Sequence, residues 1–372
     1  MQTKFTDLLG VDAPLVGFNR SPGVVAEVSK AGGLGVLAAT AYTPEELDAQ
    51  LTWIEEQIGD RPYGVDLLVP EKVATGDPGD LVASLRAQIP AEHLEFVDKL
   101  LAKYDIPISA DSADGHDEIM ANFGSAGVPK LLDVAFSHRI SLVANALGRP
   151  PANLVDRAKK AGVVVASLVG KPEHARRQLE AGVDLLIAQG TEAGGHTGTI
   201  ATTVLTPEIV DIAGDKPVLA AGGIASGRQM AAALALGAAG VWCGSVWLSS
   251  NEDITPPAVK EKFLAASSSD TLRSPTRTGK PARQLRSAWH DEWESPGSPR
   301  PLPMPLQPML VNSAWDRIDR AAAEGHEGAK KLESFFIGQV VGGFRQLRPA
   351  GDIAREIIDD CARRLTELAA LL

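Results

Sequence analysis

Short apolar runs alternate with amphipathic stretches along much of the chain. Each run ends in glycine or a polar residue, and the stretch after it carries apolar residues at helical spacing, a pattern typical of alternating β and α units. Eight runs fit this description and are predicted to be strands. They are Pro14–Gly17, Leu34–Ala38, Tyr63–Leu68, Ile140–Ala146, Val163–Leu168, Asp184–Ala188, Pro217–Ala220 and Gly240–Cys243.

Three dipeptides mark the starts of helices that follow these strands. Ser21-Pro22, Thr43-Pro44 and Thr206-Pro207 each combine an N-cap residue with a proline suited to the first helical turn. Residues 162–190 hold a strand, a helix and a second strand, so the two strands are predicted to be parallel and joined by a right-handed crossover. Eight such units close a (β/α)8 barrel of the TIM type, which is the predicted α/β fold.

Two regions exceed what a barrel needs. Residues 70–139 are predicted to form a helical insertion after the third strand, and residues 251–372 a C-terminal extension of the barrel domain, residues 1–250. Residues 295–309 carry six prolines, which predicts an extended, non-helical connector. A terminal helix is predicted to pack on the barrel or on a neighbouring subunit through apolar residues at helical spacing. These are Ile353, Ile357, Ile358, Cys361, Leu365, Leu368 and Leu372.

The amino-acid composition limits the functions and the cellular compartments that can be expected for this protein. The formal charge of −11 argues against nucleic-acid binding, which normally needs a basic face. Cys243 and Cys361 lie far apart without zinc-like spacing, and the N-terminus has no apolar targeting segment, so a cytoplasmic protein without a structural metal is expected. Met230–Leu248 lacks charged residues, but its glycines predict a buried helix end, turn and strand instead of a membrane span.

Glycine corners follow the seventh and eighth predicted strands, where barrels of this type commonly bind phosphate. Gly222 and Gly223 leave backbone N–H groups unobstructed, and Ser226 is placed to cap the next helix. Gly244 and Ser245 form a second small-residue corner with a hydroxyl donor. Either pair alone would be explained by a tight turn, but two on adjacent loops favour a phosphate-bearing ligand.

The loop after the sixth strand, residues 188–198, contains four glycines and delivers His196 to the barrel mouth. A single histidine is more often a surface or core residue. Ordering a loop with four glycines costs much conformational entropy, however, and this cost favours a functional imidazole. Gln189 could read the edge of a heterocycle, since its amide both donates and accepts. Glu192 is expected to accept hydrogen bonds from backbone amides more readily than to act as an acid or base.

A basic stretch without acidic residues lies in the extension. Its default interpretation is a solvated face, and the alternative is a grip on an anionic substrate tail such as a coenzyme A ester. Its members are Arg273, Arg277, Lys280, Arg283 and Arg286.

Several motifs together resemble the nitronate monooxygenase family, formerly called 2-nitropropane dioxygenases. EAGGH after a predicted strand, followed by AAGGI, is the most specific; APLVG, SKAGGLGVL, RTGKPARQLRSAW and FIGQVVG agree with it. The resemblance implies an FMN-binding TIM barrel that oxidises alkyl nitronates with oxygen. It also implies that His196 is the active-site histidine, holding the anionic nitronate and acting as a base towards a neutral nitroalkane.

The resemblance further implies a set of flavin-binding positions. Those that match the family are Ser167, Gln189, Ala193, Gly194, Gly222, Gly223, Gly244 and Ser245. Two positions depart from it. Leu15 stands where the family usually has methionine, which preserves volume, and Asp66 stands where it has asparagine. An ionised Asp66 would only accept hydrogen bonds and would repel electron density on a reduced flavin.

Three alternatives to a nitronate monooxygenase stay open at this point. One is an NAD(P)H-dependent FMN reductase acting on enoyl thioesters or quinones, as in a related branch of these barrels. Another is a barrel that isomerises a sugar phosphate without redox chemistry, although no essential carboxylate pair is found for it. The last is a flavin-binding protein without enzymatic activity. The sequence also leaves open whether identical subunits associate.

Overall fold

The computed structural model describes residues 1–69, 78–108 and 127–372. Within these ranges, eight parallel strands close into a barrel in the order β1-β2-β3-β4-β5-β6-β8-β9, which confirms the predicted (β/α)8 fold. The strands are β1 (Leu15–Asn19), β2 (Leu34–Ala38), β3 (Tyr63–Asp66), β4 (Leu142–Asn145), β5 (Val164–Val169), β6 (Leu185–Gln189), β7 (Gly195–His196), β8 (Val218–Ala221), β9 (Gly240–Cys243), β10 (Thr271–Ser274) and β11 (Ala282–Leu285). Each predicted barrel strand lies within two residues of an observed one at both ends.

Helices surround the barrel and build the two additional regions. They are α1 (Lys4–Leu9), α2 (Pro22–Lys30), α3 (Pro44–Ile58), α4 (Pro78–Arg86), α5 (Ala91–Lys103), α6 (Gly127–Ser137), α7 (Ala152–Ala161), α8 (Pro172–Glu180), α9 (Thr202–Ala213), α10 (Gly227–Ala235), α11 (Pro257–Ala265), α12 (Ala288–Trp293), α13 (Leu306–Ala323), α14 (Glu327–Leu332) and α15 (Ala350–Ala369). Helices α4, α5 and α6 belong to the predicted insertion; residues 70–77 and 109–126 of that insertion lie outside the described residues.

The barrel interior is filled with apolar side chains, and α1 closes its amino end. Val16, Ala144 and Ile187 lie in this interior core together with Phe5 and Leu9 of α1. A separate layer outside the strands packs them against the helices. Since the amino end is covered, the carboxyl end of the strands is the face at which a ligand can enter.

The extension packs on both the barrel and the insertion. Helix α15 buries Ile353, Ile357 and Cys361 in a cluster with residues of α2 and α10, while Leu368 and Leu372 stay exposed. Helix α5 of the insertion shares another apolar core with α12 and α13 of the extension. A short antiparallel sheet, in the order β10-β11-β7, connects the extension to the loop after β6.

Two sequence predictions about helix starts are wrong. The Pro-rich connector does not stay extended over all of residues 295–309, because α13 begins at Leu306; Pro308 sits in its first turn, where a missing N–H does no harm. Helix α9 begins at Thr202, so Pro207 lies inside the helix instead of at its start. The dipeptides before α2 and α3 do mark helix starts as predicted.

The uncharged stretch from Met230 to Leu248 is divided as the sequence analysis expected. It contains the end of α10, strand β9 and the start of a 3-10 helix over Ser245–Ser249. No helix in the described part of the chain combines the length and apolar composition needed to span a bilayer.

Candidate active site

The alternation of side chains along β5 places Ser167 away from the barrel mouth. Ala166 and Leu168 both belong to the interior core, so Ser167 between them faces the outer helices. Its hydroxyl is fully buried and has no hydrogen-bond partner among the described residues. Leu168, not Ser167, is therefore the β5 side chain that can face a ligand.

Leu15 also lies away from the mouth. It is the first residue of β1, at the amino end of the wall, and belongs to the outer apolar cluster that contains Val28 and Trp247. Phe18 takes the interior position nearer the carboxyl end, with its ring centroid 5.5 Å from that of Trp242. The sequence does not reveal that Phe18 and Leu168 are the interior residues, because β1 and β5 are apolar on both faces.

Asp66 and Gln189 end β3 and β6 and face the mouth. Asp66 pairs in register with Ala38 on one side and Ala144 on the other, and Ala144 belongs to the interior core. Gln189 follows the interior residue Ile187 by two positions and is half-buried. A polar group thus stands on each side of the opening, with small side chains next to Asp66.

Two adjacent loops offer backbone donors to an anion. Gly222 and Gly223 both have positive φ angles, of 95° and 71°, which favour glycine and turn the backbone after β8. Among the described residues, no protein group accepts from the backbone N–H groups of Gly223, Ile224 and Ser245. Free N–H groups gathered at strand ends are the usual way in which barrels of this type hold a phosphate.

Residues 336–342, the FIGQVVG motif, cover this corner. The Gly338 N–H donates to the Ser245 Oγ at 2.8 Å, which leaves the Ser245 hydroxyl hydrogen available to a ligand. The Gln339 N–H donates to the Glu192 carbonyl at 3.0 Å. A Cβ on Gly194 would lie 2.9 Å from the Gly338 nitrogen, so only glycine allows this approach. In the sequence, the two glycines of the FIGQVVG motif are the feature that could have indicated this close contact with the loop after β6.

A cavity of about 860 Å³ opens beside the same corner. Gly223, Ser226 and Val246 line it from the barrel side, and Gln339 and Phe344 from the extension. Ser226 caps α10 by accepting from the Gln229 N–H, as the sequence predicted. The cavity is large enough for the phosphate-bearing end of a cofactor.

His196 is held at the mouth by strand pairing. It ends β7 and pairs with Ala282 of β11, and Gly195 before it has a φ of 75°. The His196 Nε2 lies 2.8 Å from the Thr278 Oγ1, which itself donates to the Lys280 carbonyl. Because the Thr278 hydrogen is used in that bond, Nε2 is assigned as the donor and Nδ1 keeps its lone pair.

The surroundings of His196 favour the neutral imidazole. Burial against neighbouring protein atoms lowers the pKa of His196 below its ordinary value, and the Lys280 ammonium lowers it further. Part of the ring nevertheless reaches solvent at the mouth. A neutral ring with a bare Nδ1 can take a proton from a substrate at physiological pH.

The basic stretch of the extension holds the His196 loop. The Arg283 Nε donates to the Thr191 carbonyl at 2.9 Å, and the Arg273 Nη2 donates to the Thr197 carbonyl at 2.8 Å. Arg283 is buried, so the predicted solvated face is wrong for this residue; Lys280 and Arg286 are exposed. The two arginines therefore fix the backbone on both sides of His196.

Glu192 connects the loop to α9. Its carboxylate accepts from the Thr202 N–H at 2.9 Å, which satisfies a backbone donor at the first residue of the helix. It thus bonds a backbone amide, as the sequence analysis expected, and it caps the helix whose start was predicted wrongly. A capping carboxylate contributed from a distant loop cannot be read from the local pattern around Thr206-Pro207.

Burial raises the pKa of Asp66 to about 7. The ionised carboxylate considered from the sequence is disfavoured, because the buried environment favours the neutral acid much more than solvent does. Within the described residues no group of histidine, cysteine and carboxylate side chains is suited to bind a metal ion. Both cysteines are buried free thiols.

Comparison with known proteins shows the family of the chain. The family model described as nitronate monooxygenase matches residues 2–360. A Mycobacterium tuberculosis protein named “Putative monooxygenase Rv1533” is 51% identical, with 100% of both chains covered. A Rhodococcus jostii relative is 31% identical over 100% of this chain and 99% of its own; its name is (3aS,4S,5R,7aS)-5-hydroxy-7a-methyl-1-oxo-octahydro-1H-indene-4-carboxyl-CoA dehydrogenase. The solved structure of nitroalkane oxidase from Streptomyces ansochromogenes is 27% identical, with a TM-score of 0.78 over 98% and 99% of the two chains.

The family match and the likeness to nitroalkane oxidase, on a closed (β/α)8 barrel, place the protein among the flavin-dependent oxidoreductases. The chain belongs to the nitronate monooxygenase family. The residues present fit a flavin, because the free N–H groups of Gly223 and Ser245 suit a phosphate and the interior beside Asp66 is lined by alanines.

Proposed function

We propose that the protein is an FMN-dependent nitronate monooxygenase that oxidises alkyl nitronates with O2. The observation that carries the proposal is the placement of His196 beside the barrel mouth, with its Nε2 2.8 Å from the Thr278 Oγ1 and with burial lowering its pKa. Such a group can abstract the acidic carbon-bound proton of a nitroalkane and then, as the imidazolium, hold the nitronate anion.

FMN is proposed as the cofactor because the protein offers donors for one terminal phosphate. Gly223, Ile224 and Ser245 would hold that phosphate, and Gln189, Phe18 and Leu168 would lie along the ring. When bound, the flavin supplies the redox chemistry with oxygen. Ala193 and Gly194 would lie near the ring through the loop that also carries His196. The protein's part is to orient the anion, exclude water and move one proton.

The second candidate is an NAD(P)H-dependent reductase of enoyl thioesters or quinones. The Rhodococcus relative, named as a dehydrogenase of a CoA ester, is the observation that favours it. Against it, Arg273 and Arg283 donate to loop carbonyls and are therefore not available to grip an anionic CoA tail. Lys280 and Arg286 are the exposed cations of that stretch.

The deciding experiment mixes the anaerobic yellow protein with either a nitronate or NADH. Bleaching of the flavin by the nitronate, with reoxidation on admitting O2, supports the monooxygenase; bleaching by NADH and not by the nitronate supports the reductase. His196→Ala should abolish turnover of neutral nitroalkanes and retain part of the turnover of preformed nitronates. His174→Ala, at an exposed position on α8, is the matched control and should leave both rates unchanged. Release of FMN on heating identifies the cofactor.

A cytoplasmic location is part of the same proposal. Two buried free thiols suit a reducing compartment. Fractionation of cells followed by immunodetection tests it, and size-exclusion chromatography with light scattering tests whether identical subunits associate.

A further inference from the structure

Asp66 is a buried carboxyl group aimed into the barrel mouth. Its side chain is 6% exposed, and it ends β3 on the interior face. The residues in register with it on the neighbouring strands are Ala38 and Ala144. On the neighbouring strands, only methyl groups flank the carboxyl group.

No hydrogen bond or ion pair to the described residues contributes to the environment of the Asp66 carboxyl group, in contrast to the buried carboxyl group of Asp253. Asp253 is 4% exposed, but its oxygens accept from the Asn19 Nδ2 at 2.9 Å and the Thr255 N–H at 2.8 Å. Buried polar groups without partners are rare and costly in proteins, and a ligand commonly completes them. Asp66 therefore lacks the partner that Asp253 has.

We propose that Asp66 is held as the neutral carboxylic acid and donates a hydrogen bond to the ring of the bound flavin. This inference rests on the flavin cofactor of the proposed function. The ring is the preferred acceptor because the flanking alanines are small enough to admit a flat group against the wall, and because Gln189 ends β6 at the same rim, with β4 and β5 between it and Asp66. An ionised carboxylate could not donate this bond.

The bond makes flavin binding depend on pH. Burial raises the pKa of Asp66 to about 7, and no charged group of the described residues contributes to that shift. Its strand neighbours β2 and β4 present alanines at its level, and His196 is the titratable group facing the mouth from β7. Burial and the Lys280 ammonium lower the pKa of His196, and a variant without this histidine separates its titration from that of Asp66.

The test is a spectroscopic titration of the flavin-loaded enzyme, without substrate, between about pH 5 and about pH 9. The wild type should show a shift of the flavin absorption bands with a midpoint about one unit above the pKa of Asp66 in the flavin-free protein, because a flavin that binds the neutral acid about tenfold more tightly raises that pKa. Its flavin affinity should be about tenfold weaker at the alkaline end of the titration than at the acid end. Asp66→Asn, which keeps a donor but does not titrate, should bind flavin at all pH values without this shift. Asp66→Ala should also lose the shift and bind about tenfold more weakly at low pH.

Two further variants test whether the spectral shift comes from Asp66 and not from another titrating group. Asp253→Asn makes the same chemical change at a buried carboxyl group that already has partners, and it should retain the wild-type shift. His196→Ala should retain it as well. A shift that persists in Asp66→Asn, or that disappears in His196→Ala, would overturn the proposal.

Failure of this inference is distinguishable from failure of the proposed function. If the protein binds no flavin, the proposed function fails at purification, before any titration. If flavin binds but its spectrum responds to Asp66 only after a nitronate is added, the carboxyl group meets the substrate and not the ring. That outcome rejects the inference and leaves the nitronate activity in place.

Discussion

The acid sensitivity of the fold should depend on His290. This residue is fully buried in α12, and its Nδ1 accepts from the Ser287 N–H at 3.1 Å as part of a capping box. Burial, with a smaller contribution from the Arg286 guanidinium, lowers the pKa of His290 to about 4. The perturbation is His290→Gln, since glutamine suits the same position of a capping box and does not titrate.

The sign and the size of the effect of His290 on the free energy of unfolding follow from proton linkage. Between about pH 6.5 and pH 4 the unfolded histidine binds a proton and the folded one does not, so the free energy of unfolding falls as pH falls through this interval. With an ordinary pKa of about 6.5, the loss attributable to His290 between about pH 8 and about pH 5 is about 2 kcal/mol. His290→Gln should remove this part of the pH dependence. Asp66 changes the free energy of unfolding with pH in the opposite direction. Its contribution is the same in the wild type and in His290→Gln, so it cancels when one curve of unfolding free energy against pH is subtracted from the other.

The assay is urea denaturation of the wild type and His290→Gln at a series of pH values. The matched control is His326→Gln, which removes a histidine that also caps a short helix, α14, and so reports the cost of a lost cap. If the wild type and His290→Gln lose the same free energy of unfolding between the two pH limits, the buried neutral histidine is not the source of acid sensitivity and the reasoning fails.

Two further predictions concern the site. Gly338→Ala would place a Cβ 2.6 Å from the Glu192 carbonyl oxygen, so it should reduce the flavin-to-protein absorbance ratio of the purified protein and weaken flavin binding about tenfold. A ratio equal to that of the wild type would contradict the packing argument. Thr278→Val removes the acceptor of the His196 Nε2–H, and the lost hydrogen bond is worth about 1 kcal/mol. Oxygen uptake should therefore show kcat/KM lowered about fivefold for a neutral nitroalkane and lowered less for a preformed nitronate. Equal losses for both substrates would contradict a role in proton abstraction.

The barrel was predictable because its signal is local and repeated. Each strand is a short apolar run next to an amphipathic helix, and the glycine corners follow directly from strand ends. Which face of a strand looks inward was not predictable, because barrel strands are apolar on both faces. Ser167 and Leu168, or Leu15 and Phe18, cannot be told apart until the register of neighbouring strands is known.

Contacts between distant parts of the chain account for the remaining differences. The capping of Thr202 by Glu192 moved a helix start, and the bonds from Arg273 and Arg283 to the His196 loop turned a predicted solvated stretch into a support for that loop. In each case the residue type was noticed, but its partner lies on another element. The presence of an arginine in the sequence does not identify the carbonyl group to which its side chain will donate.

The pairing of β7 with β11 has a consequence for biosynthesis. All eight barrel strands leave the ribosome before β10 and β11 do, yet the strand that carries His196 has its only pairing partner in the described residues in that later hairpin. A nascent chain can therefore close its barrel while the segment over the mouth is still untranslated. The segment that pairs with the His196 strand and contacts Ser245, within residues 271–342, is therefore added to the site after the barrel strands have been synthesised.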